Sequence, residues 1–222
     1  MTKTYLETLL DSLEAFPDEE LAHDQGDELY LRNWGFTVYR TAYGPGSQQK
    51  WDTLMETINA QARDQVMKSQ ATENDPPNRL EKALSLYRMD YRSDKGSLEG
   101  RTQDELRQYY KNGVGGAPMN RRFHWHRLFL VVDEEVLETG GGTGQPWIKC
   151  VDADYDPEDY IPRGRLRYRS QVYFGWIKIT TRSLADLWIE QLSIWGLDSV
   201  VHTGHPHHEH VWDSYLSLKS LG

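Results

Sequence analysis

The amino-acid sequence predicts an α+β fold: a mainly antiparallel sheet of four to five strands, helices packed on one face in a ferredoxin-like manner, and helical inserts. Short runs of β-branched and aromatic residues are typical of strands, and they alternate with segments whose apolar residues recur at helical spacing. The 222 residues are also enough to bury a large core. We therefore expect one domain spanning residues 1–222.

The segment Gln171–Trp195 combines the clearest strand with the clearest helix. Its first part, Val172–Ile179, is rich in the residue types that strands prefer. Ser183 and Asp186 then stand at capping-box spacing, which predicts that a helix starts at Ser183. We expect this strand and helix to form the centre of the core. The side chains predicted to be buried are Trp51, Leu54, Trp176, Leu187 and Trp188.

Upstream of that segment, similar patterns predict further elements. A leucine stripe predicts an N-terminal helix within residues 1–17, which ends before Pro17. A strand is predicted at Trp34–Ala42, followed by a Gly-Pro-Gly turn and a helix that starts at Ser47. The polar, proline-containing residues 70–79 predict a mobile loop.

The remaining elements are assigned in the same way. Apolar periodicity predicts two helices, and the second has a capping box at Thr102 and a terminating Gly113. Two apolar runs predict a hairpin of buried strands, and a short edge strand follows late in the chain. These segments are helices Leu80–Tyr87 and Thr102–Asn112, strands Arg127–Asp133 and Pro146–Asp152, and edge strand Asp198–His202. Residues 203–222 are expected to be a histidine-rich tail.

Composition narrows the classes of function. The formal net charge of −9 argues against general nucleic-acid binding, which needs an excess of Lys and Arg. The single cysteine, Cys150, excludes an internal disulfide and is expected to be a small core residue. Met1–Phe16 lacks the apolar run of a secretory signal, and no stretch approaches membrane-spanning length. We therefore expect a cytoplasmic protein without a membrane partner.

Histidine is the first candidate for a functional residue. Five of the eight histidines lie in Val201–Val211, and His124 and His126 would share one face of a strand. Imidazole is the commonest protein ligand for transition metals such as zinc, so His124, His126, His205 and His207 form a candidate metal site. The alternative is a solvated tail that binds metal only adventitiously.

Arginine is the second candidate. Arg163, Arg165, Arg167 and Arg169 alternate along the chain, so an extended backbone would place all four on one face. Such a face suits phosphate, and Arg122 could extend it. A nucleotide or an aminoacyl-tRNA would then be the ligand. The alternative is an exposed strand edge whose arginines pair with the acidic run before them.

Arg40 is predicted to lie on the apolar face of its strand, with Phe36 and Val38. A buried charge needs a partner, so Arg40 either pairs with a carboxylate such as Asp133 or Asp152 or holds an anionic ligand. The carboxylates of 152–159 begin like a calcium loop, but Pro157 stands where that loop needs glycine, so a solvated loop is favoured.

Four segments carry a resemblance to a known family: WGFTVYRTAYGPGSQQKW, SLEGRTQDELRQYY, FLVVDEEVL and FGWIKITT. In their order along the chain they resemble an uncharacterised family of filamentous fungi. The resemblance implies an intracellular fungal protein and supplies no catalytic residues.

Three interpretations of function remain open. The first is a small ligand-binding protein or enzyme with an aromatic and arginine-lined pocket that includes Arg40 and Arg122, with His124 and His126 as further candidates. The second is a protein-interaction or scaffold domain without catalysis. The third is a protein that acts on a phosphate-bearing ligand through Arg165 and Arg167. No set of nucleophile, base and orienting group is recognisable in the sequence, so no reaction is assigned.

Overall fold

The computed structural model describes residues 3–13, 33–73, 75–120, 127–139, 144–161, 171–193, 196–200 and 210–214. Within these ranges the chain forms one six-stranded sheet and eight α-helices. The strands are β1 Thr37–Arg40, β2 Asp90–Arg92, β3 Leu128–Val132, β4 Trp147–Asp152, β5 Trp176–Thr180 and β6 Val211–Trp212. Their order across the sheet is β2-β1-β3-β4-β5-β6.

The helices lie between the strands and at the beginning of the chain. They are α1 Tyr5–Ser12, α2 Ser47–Glu73, α3 Pro77–Leu86, α4 Lys95–Leu98, α5 Gln103–Asn112, α6 Glu134–Thr139, α7 Pro157–Tyr160 and α8 Leu184–Ser193. Two short 3₁₀ turns, Thr181–Ser183 and Leu197–Val200, flank α8. The α+β class predicted from the sequence is therefore confirmed.

The predicted mainly antiparallel sheet of four to five strands is matched only in part, because the described sheet is mixed and has six strands. β1 pairs in parallel with both β2 and β3, and β5 pairs in parallel with β6. The antiparallel pairings are β3 with β4 and β4 with β5. The hairpin of β3 and β4 was predicted, but the parallel pairing of β1 was not.

Helices cover both faces of the sheet, not one as predicted. On one face, Val38, Leu130 and Ile148 pack in a large cluster with residues of α1, α2, α3 and α8, and the predicted core residue Leu187 lies there. On the opposite face, Leu106 and Tyr110 of α5 pack against Tyr39 and Phe129. Two sheet faces with alternating apolar residues need two layers of cover.

Two connections differ from the prediction. The mobile loop expected at residues 70–79 is largely helical, since α2 continues to Glu73 and α3 begins at Pro77. Between them Asp75 is buried, accepting bonds of 2.8 Å from Thr4 Oγ1 and Arg79 Nη1. The described part of the edge strand predicted at Asp198–His202, residues 198–200, lies in a 3₁₀ turn, and β6 forms that edge of the sheet instead. Residues 201–202 lie outside the described part of the chain.

The predicted helix start at Ser183 is confirmed to within one residue, but Ser183 has a different role. Its buried hydroxyl lies 2.7 Å from Thr180 Oγ1 and 3.0 Å from both the backbone nitrogen and Oγ of Ser214. Asp186 accepts a 2.5 Å bond from Ser214 Oγ. Both side chains therefore attach residues 210–214 to the fold.

Burial of the predicted core residues is nearly as expected. Trp51, Leu54, Leu187 and Trp188 are buried, whereas Trp176 is half-buried. No helix among the described residues is both long and apolar enough to cross a membrane.

Candidate ligand-binding site

The carboxyl ends of two parallel strands, β1 and β3, meet at one edge of the sheet. The chain leaves β1 through Thr41–Gly46 and enters the 27-residue helix α2 at Ser47. It leaves β3 at Asp133 and enters α6 at once. In open sheets, the crevice outside the carboxyl ends of parallel strands is the usual place for a ligand.

A cleft of about 410 Å³ lies at this edge and is half open to solvent. Its walls come from three separate parts of the chain. They are Thr41–Pro45 with Ser47 and Lys50, then Glu99–Arg101, and finally Asp133, Glu134, Leu137 and Glu138. The volume is within the range of small-molecule sites, about 300–1,000 Å³.

Arg40 supports the first wall from behind. Its side chain is only 3% exposed, and the guanidinium donates to Ala42 O at 2.9 Å, Gln48 Oε1 at 2.6 Å and Ser47 Oγ at 2.8 Å. It also lies over the rings of Tyr43 and Trp51, at 4.6 and 5.4 Å. Arg40 therefore joins the end of β1 to the first turn of α2 and fixes the loop between them.

Tyr43 completes that wall. Its hydroxyl donates to Arg40 O at 3.0 Å, which closes the loop back onto β1. Burial raises the pKa of Tyr43, although the positive charge of Arg40 opposes the shift. The second wall is tied to the first because Gly100 N donates to Thr41 O at 3.0 Å. The ring and the backbone of this part of the cleft are thus held in place before any ligand arrives.

Asp133 anchors the third wall. One carboxylate oxygen accepts from Val136 N at 3.1 Å and the other from Lys149 Nζ at 2.5 Å. Lys149 is 7% exposed, lies 5.1 Å from the ring centre of Trp176 and also contacts Glu135 at 2.6 Å. The carboxylate of Asp133 therefore has a fixed orientation, set by a backbone amide and a buried ammonium group.

Glu135 lies just outside the cleft and forms ion pairs with two lysines. Burial favours its neutral form, but hydrogen bonds and charge from Lys149 and Lys178 outweigh burial and lower the pKa of Glu135. Lys178 Nζ lies 2.5 Å from Glu135 Oε1. These ion pairs attach α6 to β4 and β5, and so hold the third wall on the sheet.

The charges on the cleft walls fall into two groups. Arg101 pairs with Glu105 at 2.6 Å, and Glu99 pairs with Lys95 at 3.4 Å. The charged side chains of the walls that form no ion pair within the described chain are exposed: Lys50, Glu134 and Glu138. In the described lining of the cleft, the charge without an ion pair is therefore one ammonium group and two carboxylates.

A second cavity of about 360 Å³ continues from the cleft between α2 and α6. It shares Lys50, Leu137 and Glu138 with the cleft. Its other lining residues are mostly apolar or carry methyl groups: Leu54, Val136, Pro146, Thr53 and Thr57, together with Gln49. The polar cleft thus opens into a more apolar groove.

Most site residues predicted from the sequence lie outside the described part of the chain. They are Arg122, Arg165, Arg167, His124, His126, His205 and His207, so the arginine face and the metal site stay predictions. Within the described residues, no group of three or more His, Cys, Asp or Glu side chains could hold a metal ion. The remaining predicted residue, Arg40, lies behind the cleft wall rather than in its lining.

Arg40 uses neither of the two partners expected for it. Among the described residues its hydrogen-bond acceptors are neutral oxygens, not Asp133 or Asp152. Cys150 matches its prediction, since it is fully buried in the core, and burial raises the pKa of its thiol.

The acidic run 152–159 has several separate structural roles. Asp154 accepts from Arg127 Nε at 2.7 Å, and Asp156 accepts from Glu158 N at the start of α7. Asp152 accepts from Asp154 N at 2.8 Å and from the Tyr173 hydroxyl at 3.4 Å. Burial raises the pKa of Asp152, and the bond from the Asp154 amide opposes that shift. Among the described residues these carboxylates form no group that could hold a metal ion, unlike those of a calcium loop.

No family model, curated protein or solved structure matches this chain. The geometry of the cleft is therefore the main support for a functional proposal.

Proposed function

We propose that the protein binds a small polar organic molecule in the cleft at the carboxyl ends of β1 and β3. The observation that carries the proposal is the position of the cleft. A half-open cavity of about 410 Å³ lies where parallel strands end and a long helix begins.

The rigidity of the walls supports binding in this cleft. Arg40 and Tyr43 fix the loop after β1, and Lys149 with Val136 N fixes Asp133. A site whose polar groups are already oriented loses little conformational entropy when a ligand enters. Tyr43 and Arg101 line this cleft, whereas Arg40, which the sequence predicted as a pocket residue, lies behind its wall.

Binding is favoured over catalysis because of the groups in the cleft lining. Among the described lining residues, the buried hydroxyl of Ser47 accepts its hydrogen bond from Arg40, which cannot act as a base. Asp133 has both carboxylate oxygens engaged. The lining therefore offers polar recognition without an activated nucleophile.

An occlusion variant tests this proposal. A Cβ atom at Gly44 would meet no heavy atom within 4 Å, so Gly44→Trp should place an indole at the cleft without straining the fold. Gly144→Trp is the matched control, because Gly144 has equally open surroundings and does not line the cleft.

Both variants and the native protein are screened by amide NMR against amino acids, carboxylates, amines, sugars and nucleosides. We expect one class to shift resonances of Thr41–Ser47 and Asp133–Glu138 in the native protein and in Gly144→Trp, but not in Gly44→Trp. Binders that leave these resonances unchanged, or no binders at all, would contradict the proposal and favour the protein-interaction alternative. The relation to fungal proteins is a separate proposal, which rests on the four sequence segments.

A further inference from the structure

The charge balance of the cleft restricts the ligand that it can hold. Three of its six charged lining residues are already ion-paired: Glu99 with Lys95, Asp133 with Lys149, and Arg101 with Glu105. The charges left unpaired in the described lining, those of Lys50, Glu134 and Glu138, sum to one negative charge. A polyanion such as a nucleotide would face a net negative wall, and like charges in a partly desolvated cleft repel. A ligand that carries at least one positive group fits these walls better.

The three lining residues that form no ion pair in the described chain specify the charges of the ligand more closely. Lys50 stands on the first turn of α2, whereas Glu134 and Glu138 stand on α6. Lys50 and Glu138 line both the cleft and the adjoining groove between α2 and α6, so a cationic and an anionic side chain border the same space, and Glu134 lines the cleft alone. A molecule with one negative and one positive group could pair with both.

The adjoining groove adds a requirement for apolar surface. Leu54, Val136 and Leu137 are buried residues whose remaining exposed atoms line this space, together with Pro146. Lys50, Leu137 and Glu138 border both cavities, so the charged positions stand where the polar cleft meets the apolar groove. A ligand that uses both cavities needs its charged groups at one end and an apolar chain at the other.

Resting on the proposed function, we infer that the cleft binds a zwitterion with an apolar side chain, of which an apolar α-amino acid is the simplest form. Its carboxylate faces Lys50 at the start of α2, where the helix dipole also favours an anion. Its ammonium group faces Glu134 and Glu138. Its side chain occupies the groove beside Leu54 and Leu137.

Three related probes separate these contacts: leucine, leucinamide, which lacks the carboxylate, and 4-methylpentanoate, which lacks the ammonium group. Binding is followed by amide NMR and calorimetry at pH 6.5, where an α-amino group stays protonated. Leucine should bind most tightly, and each truncated probe should bind about two- to fivefold more weakly, the range of a solvent-exposed ion pair. From alanine to norvaline, each added methylene should increase affinity by up to about fourfold.

Two charge variants assign the groups. Lys50→Gln should weaken the binding of leucine and of 4-methylpentanoate about two- to fivefold and leave the affinity for leucinamide unchanged. Glu138→Gln should weaken the binding of leucine and of leucinamide by a similar factor and leave the affinity for 4-methylpentanoate unchanged. Lys68→Gln and Glu56→Gln remove exposed charges of α2 outside the cleft and serve as matched controls.

The outcomes distinguish this inference from the proposed function. If 4-methylpentanoate binds in the cleft as tightly as leucine, or if the charge variants do not separate the probes, the inference is overturned while the cleft remains a binding site. If other compounds shift the cleft resonances and none of the three probes does, the inference is likewise overturned and the cleft remains a binding site. If no compound shifts them, both are overturned.

Discussion

The guanidinium of Arg40 donates a 2.8 Å hydrogen bond to the hydroxyl of Ser47, so a serine expected to cap a helix instead holds a buried cation. Among the described residues the other acceptors are the Ala42 carbonyl and the Gln48 amide, both neutral. The charge is compensated by these dipoles and by the faces of two aromatic rings. This arrangement couples the end of β1 to the start of α2.

Replacing Arg40 by methionine should destabilise the protein by about 2–4 kcal/mol. The substitution leaves the Ala42 carbonyl and the Ser47 hydroxyl without their donor and removes the contacts with Tyr43 and Trp51. Urea denaturation measures the change. Arg63→Met, at an exposed arginine beside Tyr87, is the control and should cost less than about 1 kcal/mol. Equal midpoints for the two variants would show that Arg40 does not hold the loop.

Leu187→Ala tests the core beneath α8. Leu187 is fully buried, so the loss of transfer free energy and the cavity left behind should cost about 2–5 kcal/mol. Met67→Ala on α2 removes a side chain that is 46% exposed and should change stability far less. Chemical denaturation of both variants provides the comparison, and a negligible shift for Leu187→Ala would be inconsistent with this packing.

The buried carboxyl of Asp152 predicts a dependence of stability on pH. Burial raises its pKa in the folded protein above the ordinary value of about 3.9. At a pH between the pKa of the unfolded state and the higher pKa of the folded state, folded Asp152 keeps a proton that the unfolded chain has lost. The free energy of unfolding therefore falls as pH rises through that window. Asp152→Asn removes this contribution and retains an acceptor for the Asp154 amide.

The variant should therefore gain stability relative to the native protein as pH rises from about 4 upward. Urea midpoints measured at half-unit pH intervals would show the stability curves of Asp152→Asn and the native protein diverging. Glu56→Gln, at an exposed position of α2, is the control for the removal of one carboxylate. Curves for Asp152→Asn and the native protein that stay parallel would rule out a raised pKa for the Asp152 carboxyl.

The predicted metal site is tested on untagged protein. If His124, His126, His205 and His207 bind zinc as a structured site, elemental analysis after dialysis should give about one equivalent. Alanine at His124 and His126 should then abolish retention of the metal. Substoichiometric zinc that mild dialysis removes would leave only adventitious binding by the histidine-rich segment.

The predicted phosphate face is tested by salt dependence. If Arg165 and Arg167 contact phosphates, the affinity for tRNA should fall with salt with a log–log slope of about −0.7 to −0.9 per phosphate neutralised. Glutamate at both positions should reduce that slope without unfolding the protein. Fluorescence anisotropy across a salt series gives both slopes, and no association at low salt would favour the interpretation of an exposed, charged strand edge.

Local signals in the sequence predicted local structure well. Thr102 and Glu105 form both bonds of the predicted capping box, and Gly113 ends α5 in the left-handed conformation. The helix at Ser47 begins as expected, and the β3–β4 hairpin forms. These features depend on residues close together in the chain, where spacing alone carries the information.

Features that depend on distant residues were missed. The apolar run of β1 shows that it is a strand but not that its neighbours, β2 and β3, run parallel to it. β6 has only two residues, too few for a periodic pattern. Trp176 is half-buried because it packs against the smaller apolar cluster of Tyr39, Tyr110 and Phe129 and is not enclosed within the main core.

The cleft was missed for the same reason. Its walls contain Thr41, Gly100 and Asp133, which are far apart in the sequence and meet only because β1 lies beside β3. The available signals were the Gly44–Gly46 turn at the end of one strand and Asp133 at the end of another. Their proximity could be inferred only with the strand order in hand.

The parallel pairing of β1 with β3 also constrains when the protein can fold. Val38 pairs with Leu130, more than ninety residues later, and the intervening chain includes all of α2, α3 and α5. During synthesis, β1 and α2 leave the ribosome long before the strand that completes the centre of the sheet. Pairing over such a separation is slow because the loop must close first. The N-terminal half therefore spends the longest time with its apolar surface uncovered, and nascent-chain association should concentrate there.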